Sequence, residues 1–395
     1  MIRDPERLER LLADVRAWVR DVAHPNEDRV AEMCEVPGDI VADMAARGFF
    51  GWSIPEDYGG LGLTTEELVM AAMELSQCAV AYRARVGTNT GIGSEALVVD
   101  GTEEQKARFL PRLASGEATS CLALTEPEAG SEASNIQTTA RRDGEHYVLS
   151  GMKRYITNAP IADLFTVFAR TDPDRNGARG ISAFVIERGA PGLTTSPAYR
   201  MMGQAGSPVG EVHMEDCRVP ARNLIGGVEG VGFKTAMKVL NKQRIHLAAL
   251  CTGPAIRMLD MAMDHACTRE QFGKPVVEFQ LVAALLADCQ TEIEAARQTV
   301  LATARARDEG RDIALEASIC KYFASEMCGR VADRCVQVFG GAGFVADHSS
   351  IERYYRDVRL FRLYEGTSQI HQLNITKQML RRREAGESGV IAISA

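Results

Sequence analysis

Residues Phe279 to Val300 read FQLVAALLADCQTEIEAARQTV, and the apolar positions Phe279, Val282, Leu286, Cys289, Ile293, Ala296 and Val300 recur at every third or fourth place without a break. A stripe of this kind marks one face of a long helix. A second follows at Ala324, Cys328, Val331, Cys335 and Val338. Long apolar seams on consecutive helices are satisfied by antiparallel packing at a shallow angle, so residues 234–395 are expected to form a four-helix bundle domain. The seams are either closed within one chain or shared with further copies of it.

Toward the amino terminus the period changes to two. Gln137 to Arg142 and His146 to Ser150 flank Asp143-Gly144, a hairpin signal, and Phe165 to Ala169 and Ile181 to Ile186 are β-rich. Residues 121–233 are therefore expected to be a middle β-barrel or sandwich domain. Residues 1–120 return to helical spacing, with Leu8, Leu12, Val15, Val19 and Val22 on one face. The stretch IPEDYGGLG, Ile54 to Gly62, ends one helix before Thr64 or Thr65 caps the next. The fold class that results is α+β, mainly α, with an N-terminal helical domain, the β domain and the bundle in that order.

Two glycine runs invite a phosphate-binding reading. In Gly226 to Thr235 the order resembles a P-loop, but Phe233 separates the last glycine from Lys234 and no parallel βαβ unit surrounds it, so the run reads as a hinge. Gly340-Gly341-Ala342-Gly343-Phe344 lacks the strand-then-helix setting of a dinucleotide fingerprint, although glycine there lets backbone approach a ligand closely.

Composition excludes several classes. The 395 residues are 46% hydrophobic and 25% charged, enough apolar material for a large core, and the net charge of -8 offers no basic field for nucleic acid. The run Arg381-Arg382-Arg383 reads as a solvated helix end. The ten cysteines form no C-x-x-C pair and no histidine stands at ligand spacing, so they read as small buried hydrophobes in a reducing compartment, without a metal site. The amino-terminal segment alternates charge with apolar residues, unlike a signal peptide, and no run approaches the roughly 20 apolar residues of a membrane span. A cytoplasmic protein is expected.

The chemistry concentrates at Arg356 to Gln369, RDVRLFRLYEGTSQ, where Glu365 stands among apolar and aromatic neighbours beside Gly366. A carboxylate that is poorly solvated has its pKa raised and can take a proton from carbon in a dry site. The plainer reading makes Glu365 a helix cap or the ion-pair partner of one of three nearby arginines.

Six landmarks now stand in order: the Ile54–Gly62 turn, LTEPEAGS (Leu124–Ser131), KRYITNA (Lys153–Ala159), REQFG (Arg269–Gly273), QVFGG (Gln337–Gly341) and YEGT (Tyr364–Thr367). Together they resemble the acyl-CoA dehydrogenases, over a span from about Leu8 to Leu380. The resemblance implies a helix, β-barrel, helix architecture, a homotetramer built as a dimer of dimers, and FAD partly held by the neighbouring subunit. It also implies that Glu365 removes the α-proton of an acyl-CoA thioester while the flavin takes hydride from the β-carbon, leaving a trans-2-enoyl-CoA. The Glu365 N–H would bond the thioester oxygen, and Gly366 falls at the same substrate position.

By the same resemblance FAD is assigned to Leu124, Thr125, Ser131, Tyr155, Ile156, Thr157, Thr367 and Gln369. Arg269, Gln271, Phe272, Gln280, Gln337, Gly340 and Gly341 match residues that reach the FAD of the partner subunit. CoA is assigned to Ser131, Ser207, Asn241 and Arg244; spacing alone leaves Arg244 equally suited to a phosphate, the adenine edge or an intramolecular carboxylate.

This chain departs from the family pattern at three places: Glu132 replaces the usual aspartate, Tyr155 replaces a common tryptophan, and Val209 stands where threonine is frequent. Gly87, Gly91 and Gly93 are expected to leave room for an acyl chain. Tyr82-Arg83 resembles the pair in glutaryl-CoA dehydrogenases, where the arginine holds a distal carboxylate. The leading expectation is a dehydrogenase that passes electrons to an electron-transferring flavoprotein; an oxygen-using oxidase, a dicarboxylyl-CoA enzyme and a non-catalytic acyl-CoA-binding relative are the alternatives.

Overall fold

The structure is a computed structural model that describes residues 1–175 and 177–386. Helices α1 (Pro5–Trp18), α2 (His24–Met33), α3 (Gly38–Ala46), α4 (Thr65–Leu75), α5 (Val80–Gly87), α6 (Glu95–Asp100) and α7 (Glu103–Ala114) come first. Strands β1 (Ser120–Ala123), β2 (Thr139–Asp143), β3 (His146–Thr157), β4 (Leu164–Arg170), β5 (Ile181–Glu187), β6 (Leu193–Thr195) and β7 (Val209–Pro220) follow. Then come α8 (Gly232–Thr268), the short hairpin β8 (Glu270–Gln271) and β9 (Lys274–Pro275), and helices α9 (Gln280–Asp308), α10 (Ala314–Phe339), α11 (Ile351–Val358) and α12 (Ser368–Glu384). The order helix, sheet, helix is the one the changes of period predict.

The chain folds as two compact units whose membership cuts across that order. One takes Met1–Asp21, Thr65–Ala79 and the chain from Asn241 on; the other takes Val22–Thr64 and Val80–Leu240. Helices α1 and α4 thus belong with the carboxy-terminal helices, while α2, α3 and α5 to α7 belong with the sheet.

In the helical unit α10 packs on α9, α11 and α12, and α4 packs on both α9 and α1. The predicted seams are where the core forms: Leu286, Cys289, Ile293, Ala296 and Val300 on α9 are buried, as are Ala324, Cys328, Val331 and Cys335 on α10. Leu8, Leu12 and Val15 supply the buried face of α1. The start of α4 is capped from outside the helix. The Asp308 carboxylate, at the end of α9, accepts from the backbone N–H groups of Thr65 and Glu66 at 2.9 Å each, while the Thr65 hydroxyl accepts from Arg307 at 2.8 Å. A negative group at a helix N-terminus satisfies orphan donors and the dipole together, so the Thr65 side chain is left for another partner.

The sheet runs β1-β4-β2-β3-β7-β6, with β5 paired to β4. The Asp143-Gly144 turn joins β2 and β3 in the expected antiparallel hairpin, Asp143 opposite His146. Strand β4 is buried on both faces, and alternation sends its side chains two ways. Leu164 and Phe168 join a core with Phe109, Leu110 and Leu113 of α7, while Phe165, Val167 and Ala169 face the inside of the curled sheet with Tyr147, Leu149 and Val212. Part of the Gly226–Thr235 run, expected as a hinge, is docked on β5. Gly230 N–H donates to the Ser182 hydroxyl at 2.9 Å, and a Cβ on Gly232 would lie 2.4 Å from the Ser182 carbonyl carbon. Cys34 and Cys267 are exposed, unlike the other eight cysteines. Among the described residues no helix is long and apolar enough to cross a membrane.

Candidate active site

Between the 3-10 turn Arg359–Arg362 and α12 the chain makes a corner of two consecutive left-handed residues, Glu365 with φ 54 and Gly366 with φ 96. Glycine is required at 366 twice over, by its φ and because a Cβ there would lie 2.9 Å from His371 Nε2. A glutamate at positive φ is uncommon and costs backbone strain, so surrounding structure must hold it. Lys321 Nζ donates to the Gly366 carbonyl at 2.7 Å, and His371 Nε2 donates to the Glu365 carbonyl at 3.3 Å. The Thr367 hydroxyl then caps α12 by accepting from the Ile370 N–H at 3.2 Å. Thr367, not Glu365, is the cap.

Lys321 and His371 are both fully buried. Because a carbonyl can only accept, His371 carries its proton on Nε2, and Nδ1 is left buried without a hydrogen-bond partner. Burial first, then the charges of Arg244 and Lys321, push the imidazole down to about 3, so it is neutral at ordinary pH. Arg244 donates to the Asn241 side chain at 2.9 Å, and burial lowers the pKa of its guanidinium while Glu365 draws it back up. Lys321 is likewise lowered by burial and raised by nearby groups that include Cys251, Glu365 and Glu326. The half-buried Glu365 is thus surrounded by more than its apolar sequence neighbours: two cations come from α8 and α10, and the carboxylate that Arg244 feels is Glu365 itself. Two of the neighbouring arginines have other partners, Arg356 with Glu352 at 2.7 Å and Arg362 with Glu326 at 3.3 Å.

The sheet unit holds the second group of predicted residues. Leu124 and Thr125 leave β1, and the Arg154 N–H donates to the Thr125 carbonyl at 2.9 Å. Beneath them lies a buried ion pair: Lys153 Nζ donates to Glu126 at 2.7 Å and to the Leu124 carbonyl at 3.2 Å, and Glu126 also accepts from the Gln137 and Thr138 N–H groups. Burial pulls Lys153 down to about 8 against the pull of Glu126. The β3–β7 register slips between Lys153 and Ile156, and there Tyr155 adopts φ 60 and turns its ring outward, 66% exposed. Ile156 is buried and Thr157 half-buried. Asn158, at φ 63, donates to the Ala84 carbonyl and the Thr88 hydroxyl, its Oδ1 buried and unpartnered. The Ser207 hydroxyl is also buried without a partner, two residues before Val209, which pairs with Thr157. Ser131 is exposed.

Arg269, Gln271, Phe272, Gln280, Gln337, Gly340, Gly341 and Gln369 all lie on the surface of the helical unit. The His265 ring stacks on Phe339 at 4.3 Å, which brings the Arg269 segment and the Gln337–Gly341 segment side by side. Phe272, at the tip of the β8–β9 hairpin with φ 53, is 94% exposed.

Of the glycines expected to leave room near residue 90, Gly93 is closed by packing, a Cβ there lying 2.3 Å from the Ser120 hydroxyl, whereas at Gly87 the nearest atom, Nε of the Arg83 side chain, lies at an ordinary contact distance of 3.5 Å. Arg83 Nε is buried without a hydrogen-bond partner. Lys321, His371 and the Glu126–Lys153 pair were not singled out from the sequence. Lys321 had a signal: with Ala317, Ala324 and Cys328 it falls on the α10 seam, where a lysine is out of place.

Family models match nearly the whole chain: acyl-CoA dehydrogenase N-terminal domain over residues 5–117, middle domain over 121–217 and C-terminal domain over 230–380. An acyl-CoA dehydrogenase of Bacillus subtilis (strain 168) is 38% identical over 370 residues, covering 93% of this chain and 97% of the relative. The CarC subunit of the caffeyl-CoA reductase-Etf complex of Acetobacterium woodii is 37% identical, covering 90% and 93%. The solved structure of butyryl-CoA dehydrogenase from Megasphaera elsdenii superposes with TM-score 0.92 at 32% identity over 96% of this chain and all of that one. The chain therefore belongs to the acyl-CoA dehydrogenase family, oxidoreductases acting on CH–CH groups.

Proposed function

We propose that this chain dehydrogenates an acyl-CoA thioester across its α and β carbons to a trans-2-enoyl-CoA, with Glu365 as the base. The observation that carries the reading is the left-handed Glu365–Gly366 corner, a strained conformation held by buried side chains and placed within electrostatic reach of two cations. Family membership supports FAD as cofactor, and the residues fit it. The exposed Tyr155 ring offers an aromatic face, and the orphaned Ser207 hydroxyl and Asn158 amide oxygen are buried polar atoms in want of a partner at the end of β3. Leu124, Thr125, Ser131, Tyr155, Ile156, Thr157, Thr367 and Gln369 would hold it. The surface set Arg269, Gln271, Phe272, Gln280, Gln337, Gly340 and Gly341 would reach the FAD of a second copy in a homotetramer, which accounts for their exposure in a single chain.

When bound, FAD supplies the acceptor for the β-hydrogen as hydride. The Glu365 carboxylate takes the α-proton. Its own N–H donates to the thioester oxygen as negative charge develops there, and a preorganised donor of that kind is commonly worth about 3 kcal/mol. Ser131, Ser207, Asn241 and Arg244 would bind CoA and Gly366 the thioester, and Arg244 also stands within electrostatic reach of the base. The relative in an Etf complex supports an electron-transferring flavoprotein as the acceptor.

The test is an anaerobic flavin-bleaching screen over a panel of acyl-CoAs, with Glu365→Gln alongside. The variant is expected to keep FAD and thioester binding while its bleaching rate falls by several orders of magnitude. An unchanged rate would assign the base elsewhere, and peroxide released in step with enoyl-CoA would mark an oxidase.

Arg83 favours a second reading, a substrate with a distal carboxylate. A guanidinium with a buried, unpartnered Nε is suited to a carboxylate from outside the chain. Arg83→Ala is expected to lower turnover of glutaryl-CoA at least tenfold more than that of octanoyl-CoA; equal losses would remove the idea.

A further inference from the structure

Lys321 is a fully buried ammonium on a helix face whose neighbouring buried residues, Ala317, Ser318, Ala324, Ser325 and Cys328, carry no charge, and nothing in the reaction above employs it. Glu365 and Glu326 are near enough to be felt, yet its hydrogen bond goes to a main-chain carbonyl, that of Gly366, at 2.7 Å. His371, also fully buried but on α12, spends its one N–H on the preceding carbonyl, that of Glu365. Two helices therefore each contribute one buried donor to two successive carbonyls, and those carbonyls belong to the two consecutive left-handed residues Glu365 and Gly366. Fixing both oxygens fixes both peptide planes, and with them ψ of Glu365 and ψ of Gly366.

We infer that Lys321 and His371 are positioning residues for the base, acting together as a two-point clamp on the corner. By holding the carbonyls of Glu365 and Gly366 they set the direction of the Glu365 side chain, and so they govern the rate of α-proton abstraction and not the affinity for the thioester. The inference rests on Glu365 being the base. The clamp needs a hydrogen-bond donor at 371, not a charge, because the imidazole is already neutral where it sits between Arg244 and Lys321. Glutamine, whose side-chain amide reaches about as far, meets that need; leucine fills similar space and does not.

The FAD-loaded wild type and the variants Glu365→Gln, His371→Leu, His371→Gln and Lys321→Met are compared by stopped-flow anaerobic reduction with an acyl-CoA that bleaches the wild type, and by titration with the matching enoyl-CoA. His371→Leu and Lys321→Met are expected to slow the limiting reduction rate at least tenfold with enoyl-CoA affinity within threefold of wild type, and His371→Gln to recover to within threefold of the wild-type rate. A wild-type rate in His371→Leu, no recovery in His371→Gln, or a loss of affinity in place of rate each overturns the clamp. Should Lys321→Met not accumulate as folded protein, the leucine and glutamine variants at 371 decide alone. If Glu365→Gln reduces its flavin as fast as wild type, the base assignment falls; if that variant is inert while His371→Leu is not slowed, the clamp alone falls.

Discussion

At the scale of single residues, His371 ties acid stability to its own neutrality. In the unfolded chain a histidine binds a proton below about 6.5, whereas burial holds this one down to about 3. Between those values the unfolded state carries a proton the folded state does not, so the stability contributed is complete above 6.5 and is lost as pH falls toward 3. By pH 5 the loss amounts to about 2 kcal/mol. His371→Gln removes the titrating group, so its stability relative to wild type is expected to improve by about that amount between pH 7.5 and 5 in denaturant melts. A difference that stays constant with pH would show the imidazole to be solvated. Glu365 itself was legible, since a glutamate-glycine pair after an aromatic run stands out in the sequence. Its true neighbours were not, because Arg244, Lys321 and His371 come from three helices and meet only through tertiary packing.

At the scale of elements, β3 shows how one buried pair can serve two segments. Lys153 and Glu126 fasten the segment after β1 to the outer part of β3, and Tyr155, Ile156 and Thr157 follow directly. Removing one member leaves the other charge buried and uncompensated, commonly a loss of about 3 to 5 kcal/mol, while removing both leaves mainly a gap. Glu126→Gln is therefore expected to lower the thermal midpoint more than the double change Glu126→Gln with Lys153→Met, and to shed FAD sooner. Equal melting of the two variants would count against the pair. The hairpin around Asp143-Gly144 and the runs at β4 and β5 were readable because turn chemistry and β-branched or aromatic content are local. The slip in register at Tyr155 left no such mark: a bulge is decided by the partner strand, and that strand begins about fifty residues later.

At the scale of the whole molecule, helix faces were predicted well and their membership was not. The spacing that marks Leu8, Leu12 and Val15 as one face says nothing of what covers it, and α1 and α4 turn out to share a unit with helices from the other half of the chain. Period reports the face of an element; only complementarity between distant faces decides the partner. The homotetramer we infer places the β8–β9 hairpin against another copy. Phe272→Asp keeps a residue that tolerates positive φ, yet it is expected to reduce the assembly's mass by light scattering and to weaken FAD retention. An unchanged mass with full FAD content would put Phe272 outside the interface.

The interleaving of segments also orders events during synthesis. The apolar stripe on α1 leaves the ribosome first, but α9, whose final turn caps α4, is completed only some three hundred residues later. Val22–Thr64 and Val80–Leu240 are all available well before that point. The sheet can thus mature while α1 and α4 have only each other, and a stall in translation between Leu240 and Asp308 would leave a finished half together with a helix pair whose α9-facing surface is still bare, the natural handhold for a chaperone.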